Sequence, residues 1–154
     1  MTLNRWTQIL ILVLPVTTVF TTSYFYPVHT QDKRPVFQPP DWVFPIAWTY
    51  ITVAFGYFTN QLLLTSSHHT FTLSLYALLL GGLNVWLFVY YRRLYKTAFY
   101  LLIGLTYLSI VYTLSLVHNR ISNMWFFLPM PFWLVLASCL NGVIYDAHSP
   151  KVVA

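Results

Sequence analysis

The sequence predicts an all-α integral membrane protein, a bundle of five transmembrane helices in a single domain over residues 1–154. Hydrophobic residues make up 58 % of the chain and charged residues 7 %, whereas soluble domains are about a quarter charged. Four uncharged stretches cover residues 6–31, 42–91, 97–119 and 121–145. Because a helix needs about 20 apolar residues to cross the hydrocarbon core, the second stretch is long enough for two crossings and each of the others for one.

Proline and polar clusters delimit the first three predicted helices. Pro27 ends the first helix, and Asp41 stands where a side chain can cap the second. Pro45 lies in the first turn of that helix, where proline is tolerated. The polar segment 65–70 separates the second helix from the third. The predicted spans are residues 7–26, 42–64, 71–91, 97–117 and 124–145.

Charge and proline mark the last two helices. Arg92, Arg93 and Lys96 separate the third helix from the fourth. Pro129 and Pro131 occupy the opening turns of the fifth. Since prolines bend or interrupt helices, we expect a bend or a late start there.

The segment 27–41 is the longest polar connection, and its prolines oppose helix formation. A loop of this length in so short a chain is expected to be a lid or a linker. If it is a lid, the mouth of the site beneath it is formed by Lys33, Arg34, Pro39 and Pro40.

The net charge of +5 does not indicate nucleic-acid binding, because basic residues at the ends of membrane spans contact lipid headgroups and set topology. One side of the predicted bundle carries Arg5 and Arg120. The other side carries the remaining six basic residues, which places that side and the carboxyl terminus in the cytoplasm. This orientation suits a bacterial inner membrane or a mitochondrial outer membrane.

Two tryptophans are predicted to face an internal cavity. Trp48 and Trp133 lie one to two turns inside their helices, where lipid offers no partner for an indole N–H. Trp42 lies at a span end and fits an interfacial belt. A cavity with flat aromatic walls suits a large, flat, mostly apolar ligand. Its two helix faces carry Trp48, Thr52 and Phe55 on the second helix and Trp133, Ala137 and Asn141 on the fifth.

Two pairs of residues have alternative interpretations. The amides of Asn84 and Asn141, at membrane depth, either join helices through hydrogen bonds or line the pocket. Ala77 and Gly81 are small residues four positions apart on the third helix. They allow close packing either inside the monomer or between two copies.

Three segments resemble signatures of the tryptophan-rich sensory protein/translocator protein family (TspO/MBR), also called the peripheral benzodiazepine receptor family. Their order and spacing match across nearly the whole chain. The segments are residues 38–49 (QPPDWVFPIAWT), Leu83-Asn84, and Leu128-Pro129 with Trp133, Ala137 and Leu140-Asn141.

The resemblance implies a five-helix bundle, often a homodimer through helix three, with a pocket beneath the first loop that opens toward the cytoplasm. It implies tetrapyrrole ligands, protoporphyrin IX or haem, with no required cofactor, and cholesterol and isoquinoline or benzodiazepine drugs as further ligands. By motif position the pocket residues are Trp48, Asn84, Trp133 and Ala137, to which we add Thr52, Phe55, Trp42 and Pro45.

One departure from the family pattern affects the pocket. The family usually has tryptophan where Leu87 stands here, and Trp86 comes one position earlier. A shift of one position rotates a side chain by about 100° on a helix. The pocket role of that indole therefore does not carry over to Trp86.

Three functional hypotheses follow. The first is a receptor or translocator-type membrane protein that binds tetrapyrroles for sensing, sequestration or transport. The second is light- and oxygen-dependent porphyrin breakdown through Trp48 and Trp133, because no conventional acid–base, nucleophilic or metal site can be built here. The third is cholesterol or lipid binding and transport, indicated by a weak sterol pattern at Val143, Tyr145 and Lys151.

Overall fold

The computed structural model describes residues 4–28, 35–65 and 68–149. Within these residues the chain forms five α-helices and no strand, so the predicted all-α, five-helix architecture is confirmed. A 3-10 helix, Met124–Phe127, precedes the last α-helix. The α-helices are α1 (Arg5–Phe25), α2 (Val43–Thr65), α3 (His69–Tyr91), α4 (Tyr95–His118) and α5 (Pro129–His148).

The helices have the length and composition of membrane spans. In the part of the chain that the structure describes, α1, α3, α4 and the segment Met124–His148 are long and apolar enough to cross a bilayer. The helix α2 is of similar length, with 23 residues and no charged side chain.

The helices α3 and α4 end in the same backbone motif. Arg93 (φ 58°) and Arg120 (φ 51°) adopt the left-handed conformation. The amide of Leu94 then donates to the Val89 carbonyl over 3.2 Å. After α4, the amide of Ile121 donates to the Leu116 carbonyl over 3.0 Å in the same way. This is the Schellman ending, which satisfies the last helical carbonyls. It places an arginine directly beyond each apolar span.

The helix α5 begins at Pro129, later than the residue 124 expected from the sequence. Asn123 is left-handed (φ 59°), and the following 3-10 turn delivers the chain to α5. Proline is favoured at the first helical positions because its missing N–H has no partner there. Pro129 and Pro131 therefore start the helix rather than bend it.

One half of the bundle is filled by aromatic side chains. The ring of Phe55 lies 5.1 Å from that of Tyr76 and 5.3 Å from that of Tyr112. Tyr112 also shares a hydrogen bond of 2.6 Å with Thr59. Phe55, Tyr112 and Thr59 are each at most 1 % exposed. These side chains fill the interior of this half of the bundle.

A close backbone contact holds α1 against α2. A Cβ added to Gly56 would lie 2.5 Å from the Leu12 carbonyl oxygen, so α1 and α2 touch backbone to backbone. The helix α5 packs mainly against α4, and α2 mainly against α1. Because α2 and α5 have few direct contacts, a space remains between them.

Candidate functional site

A cavity of about 370 Å³ occupies that space. It lies toward the loop end of the bundle, defined here as the end where α1 and α3 end and α2 and α4 begin. Its walls come from α1, α2, α3, α5 and the first loop. They are formed by Val19, Phe20, Ser23, Pro27, Val28, Gln38, Asp41, Phe44, Pro45, Trp48, Leu83, Trp86, Leu87, Tyr90, Trp133, Ala137, Leu140, Asn141 and Ile144.

Three indoles give the cavity its shape. The rings of Trp48 and Trp86 are stacked, with centroids 6.0 Å apart and planes 28° apart. Trp133 stands edge-on to Trp48 at 6.5 Å and 85°. Phe44 meets Trp133 at 5.4 Å in a similar edge contact. Flat walls of two orientations are suited to a planar ligand, which gains offset or edge-to-face contacts.

Two indole N–H groups in the cavity wall differ in their partners. The Nε1 of Trp86 donates to Oδ1 of Asn141 over 3.3 Å, and Nδ2 of Asn141 donates to the Ala137 carbonyl over 2.9 Å. The Nε1 of Trp133 is buried and has no hydrogen-bond partner among the described residues. A buried donor without a partner costs about 1–3 kcal/mol.

The described ends of the first loop border the cavity at the loop end. Pro27, Val28, Gln38 and Asp41 belong to the wall. Tyr26, at the end of α1, contacts the rings of Phe88 and Tyr91 on α3, which fixes the start of the loop over the cavity. The predicted mouth residues Lys33 and Arg34 lie outside the described residues. Pro39 and Pro40 precede Asp41 without joining the wall.

The structure brings together four of the predicted pocket residues. Trp48, Trp133, Ala137 and Pro45 all line the cavity. The other four are elsewhere. The hydroxyl of Thr52 donates to the Trp48 carbonyl over 2.7 Å, Phe55 lies in the filled half, and Trp42 is 67 % exposed.

Asn84 joins two helices outside the cavity wall. Its Oδ1 accepts a hydrogen bond of 2.5 Å from the Thr22 hydroxyl on α1, and its Nδ2 donates to the Leu80 carbonyl over 2.8 Å. Asn84 therefore joins helices only, because it holds α1 to α3 outside the wall. Asn141 does both, because it joins α5 to α3 through Trp86 and lines the cavity.

Sequence reasoning missed Trp86 as a pocket residue. Its side chain is 6 % exposed and lies in the wall, because the cavity spans a wide arc of α3 rather than one position. Leu83, Trp86, Leu87 and Tyr90 all line it. They follow the i, i+3, i+4, i+7 spacing of a single helix face, and this spacing was the signal available in the sequence.

The predicted sterol and dimer residues lie away from the cavity. Val143 is 43 % exposed, Tyr145 stacks on Phe99 at 5.9 Å, and Lys151 lies outside the described residues. On α3, Ala77 and Gly81 are exposed. A Cβ added to Gly81 would meet nothing within 4 Å, so this position does not pack inside the monomer.

Among residues 4–28, 35–65 and 68–149, no three His, Cys, Asp or Glu side chains are grouped to hold a metal ion.

Comparison with known proteins gives one result on the chain as a whole. The model of the TspO/MBR family matches residues 6–146. No curated protein matches the chain at a significant level.

Proposed function

Because the chain belongs to the TspO/MBR family and is therefore a membrane protein of the receptor or translocator type, we propose that its cavity binds a tetrapyrrole. Protoporphyrin IX or haem would be held for sensing, sequestration or transport. The observation that carries this proposal is the arrangement of three indoles around one cavity, with Trp48 and Trp86 stacked at 6.0 Å.

The chemistry of the wall supports a flat, mostly apolar ligand. The volume of about 370 Å³ lies in the range of about 300–1,000 Å³ typical of small-molecule sites. Aromatic and aliphatic side chains make up most of the wall. In this proposal the macrocycle lies against the indoles, and its propionates extend to Lys33 and Arg34 at the mouth.

Quenching of tryptophan fluorescence by protoporphyrin IX in detergent tests this proposal. We expect Trp48→Phe with Trp133→Phe to weaken binding about tenfold, because a ring contact contributes about 0.5–1.5 kcal/mol and tenfold is about 1.4 kcal/mol. Trp125→Phe is the matched control, since this indole is 69 % exposed and outside the cavity. Equal affinity in the double variant and the control would overturn the proposal.

A second candidate function is light- and oxygen-dependent breakdown of the bound porphyrin. It is favoured by the contact between Trp48 and Trp133 in the wall, which would put oxidisable indoles beside a photoexcited ligand. Loss of the porphyrin's main absorption band under light and oxygen measures it. Breakdown that is no faster with the protein than with the Trp48→Phe, Trp133→Phe variant would reject the enzymatic role.

Sterol or lipid transport and drug binding are the remaining ligand hypotheses. A competition assay of cholesterol, an isoquinoline and a benzodiazepine against protoporphyrin IX separates them. Displacement of the porphyrin would assign the competitor to the cavity. Cholesterol binding without displacement would place the sterol elsewhere, and a Tyr145→Ser variant then tests the pattern on α5.

A further inference from the structure

A chain of oxidisable rings leads from the cavity to the surface at the loop end. Successive ring centroids are 6.0 Å apart from Trp48 to Trp86, 5.7 Å from Trp86 to Tyr90 and 5.6 Å from Tyr90 to Tyr95. The ring of His148 lies 4.7 Å beyond Tyr95. Each ring is therefore in contact with the next, from the cavity wall to the last turn of α5.

Exposure to solvent increases along this series of rings from Trp86 to His148. Trp86 is 6 % exposed and Tyr90 is 5 % exposed, whereas Tyr95 is partly exposed and His148 is exposed. Electron tunnelling falls exponentially with distance, so rings in contact exchange electrons far faster than separated ones. The order of the rings thus connects a buried ligand site with a solvent-accessible phenol.

Oxidation of a tyrosine needs a proton acceptor, because the oxidised phenol is a strong acid. Solvent or the neighbouring ring of His148, 4.7 Å from that of Tyr95, can take that proton. The Nδ1 of His148 lies 2.8 Å from the Ile144 carbonyl oxygen, which can only accept, so Nδ1 carries the hydrogen. In the neutral ring the Nε2 lone pair is then left to take a proton.

We propose that Trp48, Trp86, Tyr90 and Tyr95 form a path that returns an electron from the loop end to an oxidised tetrapyrrole in the cavity. The proposal rests on the tetrapyrrole site proposed above. The oxidant is dioxygen, which takes one electron from the photoexcited ligand and becomes superoxide, leaving the ligand as a radical cation. The tryptophans and tyrosines then pass an electron, one ring after another, to that radical cation.

The electrons and protons balance at each step. The ligand radical cation takes one electron from the stacked indoles, and the indole radical cation takes one from Tyr90. The phenol proton of Tyr90 passes to solvent in the cavity and is replaced when the Tyr90 radical takes an electron from Tyr95. The Tyr95 phenol loses its proton to His148 or to solvent as a neutral tyrosyl radical forms. A soluble one-electron reductant, such as ascorbate or a thiol, then supplies an electron and a proton and restores the phenol.

The other ring contacts of the cavity do not offer this route. Phe44 contacts Trp133, and Phe55 separates Tyr76 and Tyr112 in the filled half. Phenylalanine is too hard to oxidise to relay a hole. Among the described residues, the tyrosine and tryptophan contacts that leave the cavity run through Tyr90.

The test uses the full chain with protoporphyrin IX, light, oxygen and ascorbate. Tyr90→Phe keeps the ring and removes the oxidisable phenol. Compared at equal amounts of bound porphyrin, we expect the porphyrin to bleach several-fold faster in this variant than in wild type, with a weaker tyrosyl signal in electron paramagnetic resonance. Tyr100→Phe is the matched control, because this exposed tyrosine contacts Phe99 and lies outside the path. It should behave as wild type.

Equal bleaching and equal tyrosyl signals in wild type and Tyr90→Phe would overturn the path while leaving the ligand site intact. An ultraviolet flash, which photoionises the indoles directly, decides the case without any ligand. We expect indole radicals to pass to tyrosine faster in wild type than in Tyr90→Phe and Tyr95→Phe. If porphyrin does not bind, the tetrapyrrole proposal fails, and the flash experiment still confirms or rejects the path.

Discussion

The indole N–H of Trp86 donates a hydrogen bond to the amide oxygen of Asn141 over 3.3 Å and so joins α3 to α5 along the cavity wall. The same amide is held from its other end by the Ala137 carbonyl at 2.9 Å. This pair fixes the plane of Trp86, which is inclined by 28° to that of Trp48. The geometry of the aromatic walls therefore depends on a polar contact between two buried side chains.

Removing that contact should loosen the cavity. Asn141→Leu keeps the side-chain volume and leaves the Trp86 N–H without a partner, so we expect a loss of about 1–2 kcal/mol of stability together with weaker porphyrin binding. Thermal unfolding in detergent and fluorescence quenching measure the two effects. Unchanged stability and affinity would show that the hydrogen bond does not position the indole.

Asn84→Leu should separate stability from binding. Its amide joins α1 to α3 outside the cavity wall, so we expect a loss of about 1 kcal/mol in unfolding free energy and porphyrin affinity close to wild type. The same unfolding and quenching measurements apply. Lost affinity with intact stability would instead make Asn84 a ligand contact, as the family resemblance implies.

The sequence predicted the architecture well, because the positions of the charged residues and the lengths of the uncharged stretches largely determine it. Uncharged stretches separated by arginine, proline and polar clusters are sufficient to place five helices. Trp48, Trp133 and Ala137 could also be predicted, since helical spacing puts them on inward faces. For these features, the identity of a residue and of its neighbours along the chain is sufficient for the prediction.

Other features depend on how the helices rotate and tilt against each other. Phe55 shares a face with Trp48 but lies deeper, where Tyr76 and Tyr112 fill the bundle. Trp86 reaches the cavity because its partner on α5 stands opposite. The sequence of α2 or α3 alone does not predict how far the filled half extends or where Asn141 lies relative to Trp86.

Gly56→Ala should destabilise the bundle by about 1–3 kcal/mol, the usual cost of overpacking. The new Cβ would lie 2.5 Å from the backbone oxygen of Leu12, and a backbone atom cannot move aside as a side chain can. Gly104→Ala is the control, because a Cβ there would meet nothing within 4 Å and alanine favours the helix. Unfolding in detergent compares the two, and equal stability would contradict the close α1–α2 contact.

We propose that the exposed small face of α3 forms a homodimer contact, with Ala77 and Gly81 at its centre. Gly81→Leu should then shift the protein from dimer toward monomer, because a large side chain prevents close approach of two helices. Gly104→Leu on α4 adds the same bulk at another open position. Light scattering in detergent measures the mass of the protein, and an unchanged dimer in Gly81→Leu would exclude this face of α3 as the dimer contact.

The indole N–H resonance of Trp133, followed in isotope-labelled protein during titration with protoporphyrin IX, tests the ligand site most directly. The ring of Trp133 lines the cavity, so a porphyrin bound against it should move the signal of its buried N–H strongly and saturably, while the exposed Trp125 signal stays in place. A Trp133 signal that remains fixed while porphyrin binds would show that the ligand does not enter the cavity.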